Sequence, residues 1–91
     1  MTVFLNPQEI AELDRQHPST RSDGGYQGLL VDLQLGLSRS TGRLALNTRD
    51  LERIARYAFD YKRGGWQKRL QSIFGRTLGP SLGRQHERPA A

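Results

Sequence analysis

The chain has no cysteine in its 91 residues, which excludes disulfides, thiolate nucleophiles and thiolate metal ligands together. It also points to a reducing compartment, because secreted domains this small usually need covalent staples. Histidine is nearly as scarce. His17 stands beside a proline and His86 near the end of the chain, so neither an H-x-x-x-H ligand pair nor a Ser/His/Asp grouping can be argued from spacing. Gly24-Gly25 and Gly64-Gly65 lack the following Lys-Ser/Thr of a P-loop and read more simply as hinge glycines than as phosphate cradles. Without reagents, the sequence reads as that of a binding protein and not an enzyme, with no catalytic residue, cofactor or metal expected. No apolar run approaches the length of a membrane span. Met1 to Pro7 lacks the basic and apolar regions of a secretory signal, so no membrane association and a cytoplasmic location are expected. Apolar residues make up only 35% of the chain. The core must therefore be thin, leaving apolar surface that a partner or a second copy in a homodimer could cover.

What the chain has is positive charge, placed unevenly. The formal net charge is +5. Residues 1–45 carry only Arg15, Arg21, Arg39 and Arg43 against a slight excess of acids, so the whole surplus lies in the second half. That asymmetry suggests an anionic partner: an acidic protein surface, a nucleoprotein complex, or nucleic acid itself. The alternative is a solvated surface whose charge serves solubility.

The periodicity predicts an all-α fold, a compact four-helix domain over residues 1–79 with a flexible, disordered tail over 80–91. Asn6 caps the first helix, Pro7 suits its first position and Glu9 completes a capping box. Pro18 ends that helix near His17, and the polar stretch to Gly25 reads as a loop. A second helix runs from about Tyr26 to Ser38. Tyr26, Leu29, Leu30, Leu33 and Leu37 form its stripe, and Val31 and Leu35 off the stripe make it apolar over most of its circumference. Arg43 to Leu46 reads as an extended connector. Asn47 or Thr48 then caps a third helix with core positions Leu51, Ile54, Ala55, Ala58 and Tyr61, ending at Gly64-Gly65. A fourth starts at Trp66 and ends at Gly79-Pro80, with Leu70, Ile73 and Phe74 inward.

An internal echo links the two halves. Gly24-Gly25-Tyr26-Gln27 followed by Leu30 recurs as Gly64-Gly65-Trp66-Gln67 followed by Leu70. Two helical hairpins are therefore expected, the first helix with the second and the third with the fourth, each with an aromatic at its hinge.

The candidate contact residues follow from helical spacing. Arg49, Arg53 and Arg56 fall at i, i+4 and i+7 of the third helix, and Arg63 extends the row, opposite the core stripe. Arginine favours bidentate contact with carboxylate or phosphate. Lys62 and Arg63 occupy the turn, Lys68 and Arg69 the start of the fourth helix. Tyr57 lies off the core stripe beside the arginines, the composition of an interface hot spot or a base-stacking platform. The two helices joined by a Gly turn, with Gln67, Lys68, Gln71 and Ser72 facing outward, also faintly suggest a helix-turn-helix reader of DNA.

The block Arg56-Tyr57-Ala58-Phe59-Asp60-Tyr61, then Gly64-Gly65-Trp66-Gln67-Lys68-Arg69-Leu70 and Ile73-Phe74-Gly75-Arg76-Thr77-Leu78-Gly79, resembles small uncharacterised proteins of prophages and integrative elements. The resemblance implies an accessory protein, of anti-CRISPR inhibitor type or a DNA-binding regulator, and carries no functional residues with it. Many anti-CRISPR proteins are acidic DNA mimics; this basic chain departs from that pattern.

Overall fold

The computed structural model describes residues 1–84, and they are mostly helical. The part of the expected tail from 85 to 91 lies outside the described residues. Helix α1 spans Pro7–Asp14, α2 Gly25–Gly36, α3 Thr48–Ala55 and α4 Gly64–Leu78.

Two of the helix starts use the same device. The Asn6 side chain accepts the Glu9 N–H at 2.8 Å while the Glu9 carboxylate accepts the Asn6 N–H at 2.8 Å. Asn47 and Asp50 repeat the arrangement at the start of α3, at 2.8 and 3.0 Å. Each box satisfies two backbone N–H donors at a helix end that would otherwise lack intrahelical partners. At its other end α1 is capped from a distance. The buried Gln34 amide of α2 donates to the carbonyls of Leu13 and Gln16, at 2.9 and 2.7 Å.

The fold is not purely helical. Strand β1, Thr2–Phe4, pairs antiparallel with β2, Arg43–Ala45, with Val3 opposite Leu44. The expected connector is thus a strand, and Val3, Leu5, Leu44 and Leu46 are buried through it. Three-residue strands offer too few alternations for periodicity to reveal them, and each is defined by a partner some forty residues away. Gly42 makes the pairing possible. Its φ is +79°, and a Cβ there would stand 2.3 Å from the Leu5 carbonyl oxygen, which accepts no such neighbour.

Other expectations need correcting. Pro18–Asp23 is a 3-10 turn packed on α2, not a loop. Leu35 is exposed, so α2 has an outer face after all. Helix α1 lies chiefly against α4, so the first helix does not pair mainly with the second. Arg76 of α4 fixes that packing by reaching the buried Glu9 carboxylate at 2.8 and 3.0 Å and the Phe4 carbonyl at 2.6 Å. The chain from Pro80 to Arg84 is not a free tail. Leu82 is fully buried, held in a left-handed turn with φ 53°. Arg84 grips Asp60 with both guanidinium nitrogens at 2.8 and 2.9 Å.

The third helix is the largest departure. α3 stops at Ala55, and a π-helical turn over Arg56–Asp60 follows before Tyr61. Wider winding there shifts every later side chain off the 100° spacing. Lys62 then reverses the chain with φ 55°, and Arg63 is extended. The rod expected to carry residues 49 to 63 therefore ends before Lys62.

Candidate functional site

Two layers of side chains meet at the hinge between the π turn and α4. The inner layer is aromatic. Tyr26, which opens α2, stacks on Trp66, which stands in the first turn of α4, with centroids 4.6 Å apart and planes 8° from parallel. Tyr57 stacks on Tyr61 at 5.1 Å and 14°. The two stacks meet edge to face, Tyr57 against Trp66 at 5.7 Å and Tyr61 against Trp66 at 5.8 Å. Such geometry suits rings with a negative face and a positive rim. Tyr26 is buried, Tyr57 and Trp66 are partly buried, and Tyr61 is half exposed. Tyr61, expected in the core, thus sits at the rim, because the π turn rotates it away from the Ile54 and Ala58 side.

The outer layer is cationic, and folding decides which cations belong to it. Among the described residues seven arginines are tied to carboxylates: Arg15, Arg21, Arg39, Arg53, Arg69, Arg76 and Arg84. Three of these pairs join the acidic first half to the basic second half, namely Glu9–Arg76, Glu12–Arg69 and Asp32–Arg53. Among the described residues no ion pair is made by Arg43, Arg49, Arg56, Lys62, Arg63 or Lys68, all of them exposed. Apart from Arg43, these lie between residues 49 and 68.

The expected arginine row is therefore brought together only in part. Arg49 and Arg56 face water on α3 and its π extension. Arg53 does not: its side chain is only 20% exposed and turns toward Asp32 at 3.4 Å. Arg69 is likewise drawn inward, 18% exposed, with Glu12 at 3.5 Å and the Gln16 side-chain oxygen at 3.1 Å. Arg63 has left the row and lies over the Trp66 ring, 5.2 Å from its centroid. Lys62 and Lys68 remain exposed.

Arg49, Arg56, Tyr57, Tyr61, Trp66 and Arg63 can be traced along one face. A shallow depression of about 630 Å³ is lined by Gly25, Asp32, Arg49, Glu52, Arg53, Arg56 and Tyr57. From Tyr57 the face continues through the Tyr61 stack to Trp66 and Arg63. A second depression, about 500 Å³, lies on the other side of Arg56 between α3 and Arg84. Glu52 lines both and moderates the positive field near Arg56. Asp60 does less, because Arg84 already holds it. The bidentate hydrogen bond from Arg84 pulls the Asp60 carboxyl below its ordinary pKa, against the small cost of desolvation.

The glycine pairs behave differently from each other. Gly24 and Gly25 take positive φ, 68° and 57°, as hinge glycines should. Gly64 and Gly65 are ordinary first-turn residues of α4, and Lys62 supplies the left-handed turn instead. On α4, Lys68 and Ser72 share a depression with Glu12, Arg15, Gly65 and Arg69. The face suggested as a DNA reader thus abuts the charged flank of α1. Among the described residues no group of three or more metal-ligating side chains occurs, and no helix is long and apolar enough to cross a membrane. No family model, curated protein or solved structure matches the chain.

Proposed function

We propose that this chain is a non-enzymatic binding protein that docks on an anionic macromolecular target, a nucleoprotein or an acidic protein face, through the surface running from Arg49 and Arg56 to Tyr61, Arg63 and Lys68. One observation carries the reading. The acids of the first half neutralise Arg53, Arg69 and Arg76, yet among the described residues a set of cations between 49 and 68 makes no ion pair around an aromatic cluster. Charges kept only for solubility would be scattered, and unspent arginine beside tyrosine and tryptophan is the composition of interface hot spots. An accessory protein of a phage or mobile element, acting as an anti-CRISPR-type inhibitor of a host defence complex, is the biological role this reading fits.

Direct binding to nucleic acid as a regulator is the second reading, favoured by the same unpaired arginines and lysines. Quantitative capture from a host lysate, with and without nuclease, compares the wild type with Arg49→Glu/Arg56→Glu. A target protein retained by the wild type and lost by the variant supports the first reading, and its retention after nuclease marks an acidic protein face. Loss on nuclease treatment marks a nucleoprotein or, where no protein is captured, the second reading. Equal capture by both proteins overturns the docking face, provided both melt alike.

A further inference from the structure

We infer that the Tyr61 ring is a stacking platform for an unpaired base, so that the anionic partner presents a single-stranded stretch of nucleic acid. The inference rests on the docking face proposed above and names what its aromatic end takes. Tyr61 is 50% exposed although its other side is held against Tyr57 at 5.1 Å and 14° from parallel. The ring is thus oriented from behind, and Trp66 meets it edge to face at 5.8 Å. A ring fixed in this way loses little freedom when a flat group stacks on its open side, and base stacking on aromatic side chains is the sequence-tolerant part of single-strand recognition.

The charges are arranged to match. Lys62 follows Tyr61 directly and is exposed without an ion pair among the described residues, and Arg63 lies 5.2 Å over the neighbouring Trp66 ring. Arg56 is exposed, makes no ion pair among the described residues, and lines a depression together with Tyr57, the ring behind Tyr61. A strand whose base stacks on Tyr61 would therefore have cations near it for its phosphates. An acidic peptide would use the cations but would leave the flat ring unanswered. Duplex nucleic acid would do the same, because its bases are already stacked on one another.

The test is fluorescence anisotropy with three labelled probes at one low salt concentration: an unstructured oligothymidylate, a DNA hairpin duplex and an oligoglutamate peptide. The intact chain should bind the single strand most tightly. Tyr61→Ala should weaken that binding by at least about fivefold, the loss expected for one stacked base. Tyr61→Phe should bind within about twofold of the wild type because it keeps the π face. Tyr61→Leu covers Tyr57 without an aromatic ring and should bind as poorly as the alanine variant, which guards against a loss caused by local unfolding. Equal binding of the three probes, or unchanged single-strand affinity in Tyr61→Ala and Tyr61→Leu, would overturn the inference. If Arg49→Glu/Arg56→Glu then still abolished binding of every probe, the docking face would stand and the stacking role alone would fall.

Discussion

The ring of Tyr26 lies flat on that of Trp66, 4.6 Å between centroids and 8° from parallel. These two residues occupy equivalent places in the short internal echo, each following a pair of glycines. The echo is thus physically joined at its own matching positions: one half of the chain is stacked on the other through them. Tyr26 also packs edge-on against Tyr57, at 6.2 Å and 67°, so the same ring supports the wall behind the candidate face.

Removing either ring should therefore loosen both the fold and the face. Tyr26 is buried and Trp66 only partly so, and Tyr26→Ala should cost about 3–5 kcal/mol against about 2–3 kcal/mol for Trp66→Ala. Tyr26→Phe is the informative control. The hydroxyl is buried beside Arg69 without a well-formed hydrogen bond among the described residues, so its loss should change stability by less than about 1 kcal/mol. Urea melts followed by circular dichroism would rank the three variants.

Gly42 and Gly24 separate strain from collision. Both have positive φ, +79° and +68°, but only at Gly42 would a Cβ meet backbone, the Leu5 oxygen at 2.3 Å. Gly24→Ala should cost about 1–3 kcal/mol from conformation alone, since φ 68° with ψ −167° is a region nearly confined to glycine. Gly42→Ala adds a collision with backbone to its own strain, so it should cost more than Gly24→Ala and unpair β1 from β2. Comparison of the two melting temperatures, with amide exchange at Val3 and Leu44, would check this.

Glu9 gives the fold a defined response to acid. Burial pushes its carboxyl pKa up, but hydrogen bonds from Arg76 and from the Asn6 N–H, with the charge of Arg76, outweigh that and hold it below its ordinary value. A carboxyl depressed in the folded state stabilises above its unfolded pKa, and that stabilisation is lost as pH falls through the folded pKa. The wild type should thus lose stability below about pH 4, the usual glutamate range. Glu9→Gln keeps a capping-box side chain but carries no charge. It should be less stable than the wild type at neutral pH and show a flatter dependence in acid. Melting temperature against pH for both proteins is the measurement; parallel curves would remove Glu9 from the account.

Much of this fold was legible in the sequence because helices announce themselves locally. Asn6, Pro7 and Glu9 mark one start and Asn47 and Asp50 another, and the stripe from Leu29 to Leu37 and the inward Leu70, Ile73 and Phe74 are buried as their spacing requires. What was not legible depends on contacts distant in sequence. Val3 becomes a strand residue only because Leu44 lies opposite it, and Leu82 becomes a core residue only because the chain turns back after Gly79. The π turn escaped for another reason. Residues 56–60 carry an ordinary helical pattern, and nothing in their identities signals wider winding. That single turn removed Arg63 from the expected row and brought Tyr61 to the surface. Arg53 and Arg69 had the spacing of exposed residues, but Asp32 and Glu12, on helices distant in sequence, drew them in. The candidate face was thus legible as a region and only half legible as a list of residues.

On the proposed reading, the cations between Arg49 and Lys68 that make no ion pair among the described residues give this protein one electropositive side. The most direct measurement is to titrate the labelled protein with a short heparin-type polyanion and follow its backbone amide NMR signals at low and then at moderate salt. Shifts should concentrate at Arg49, Arg56, Tyr61 to Arg63 and Lys68, and fade as salt rises. Shifts spread evenly over the surface, reaching Arg39 and Arg43 with equal size, would contradict it.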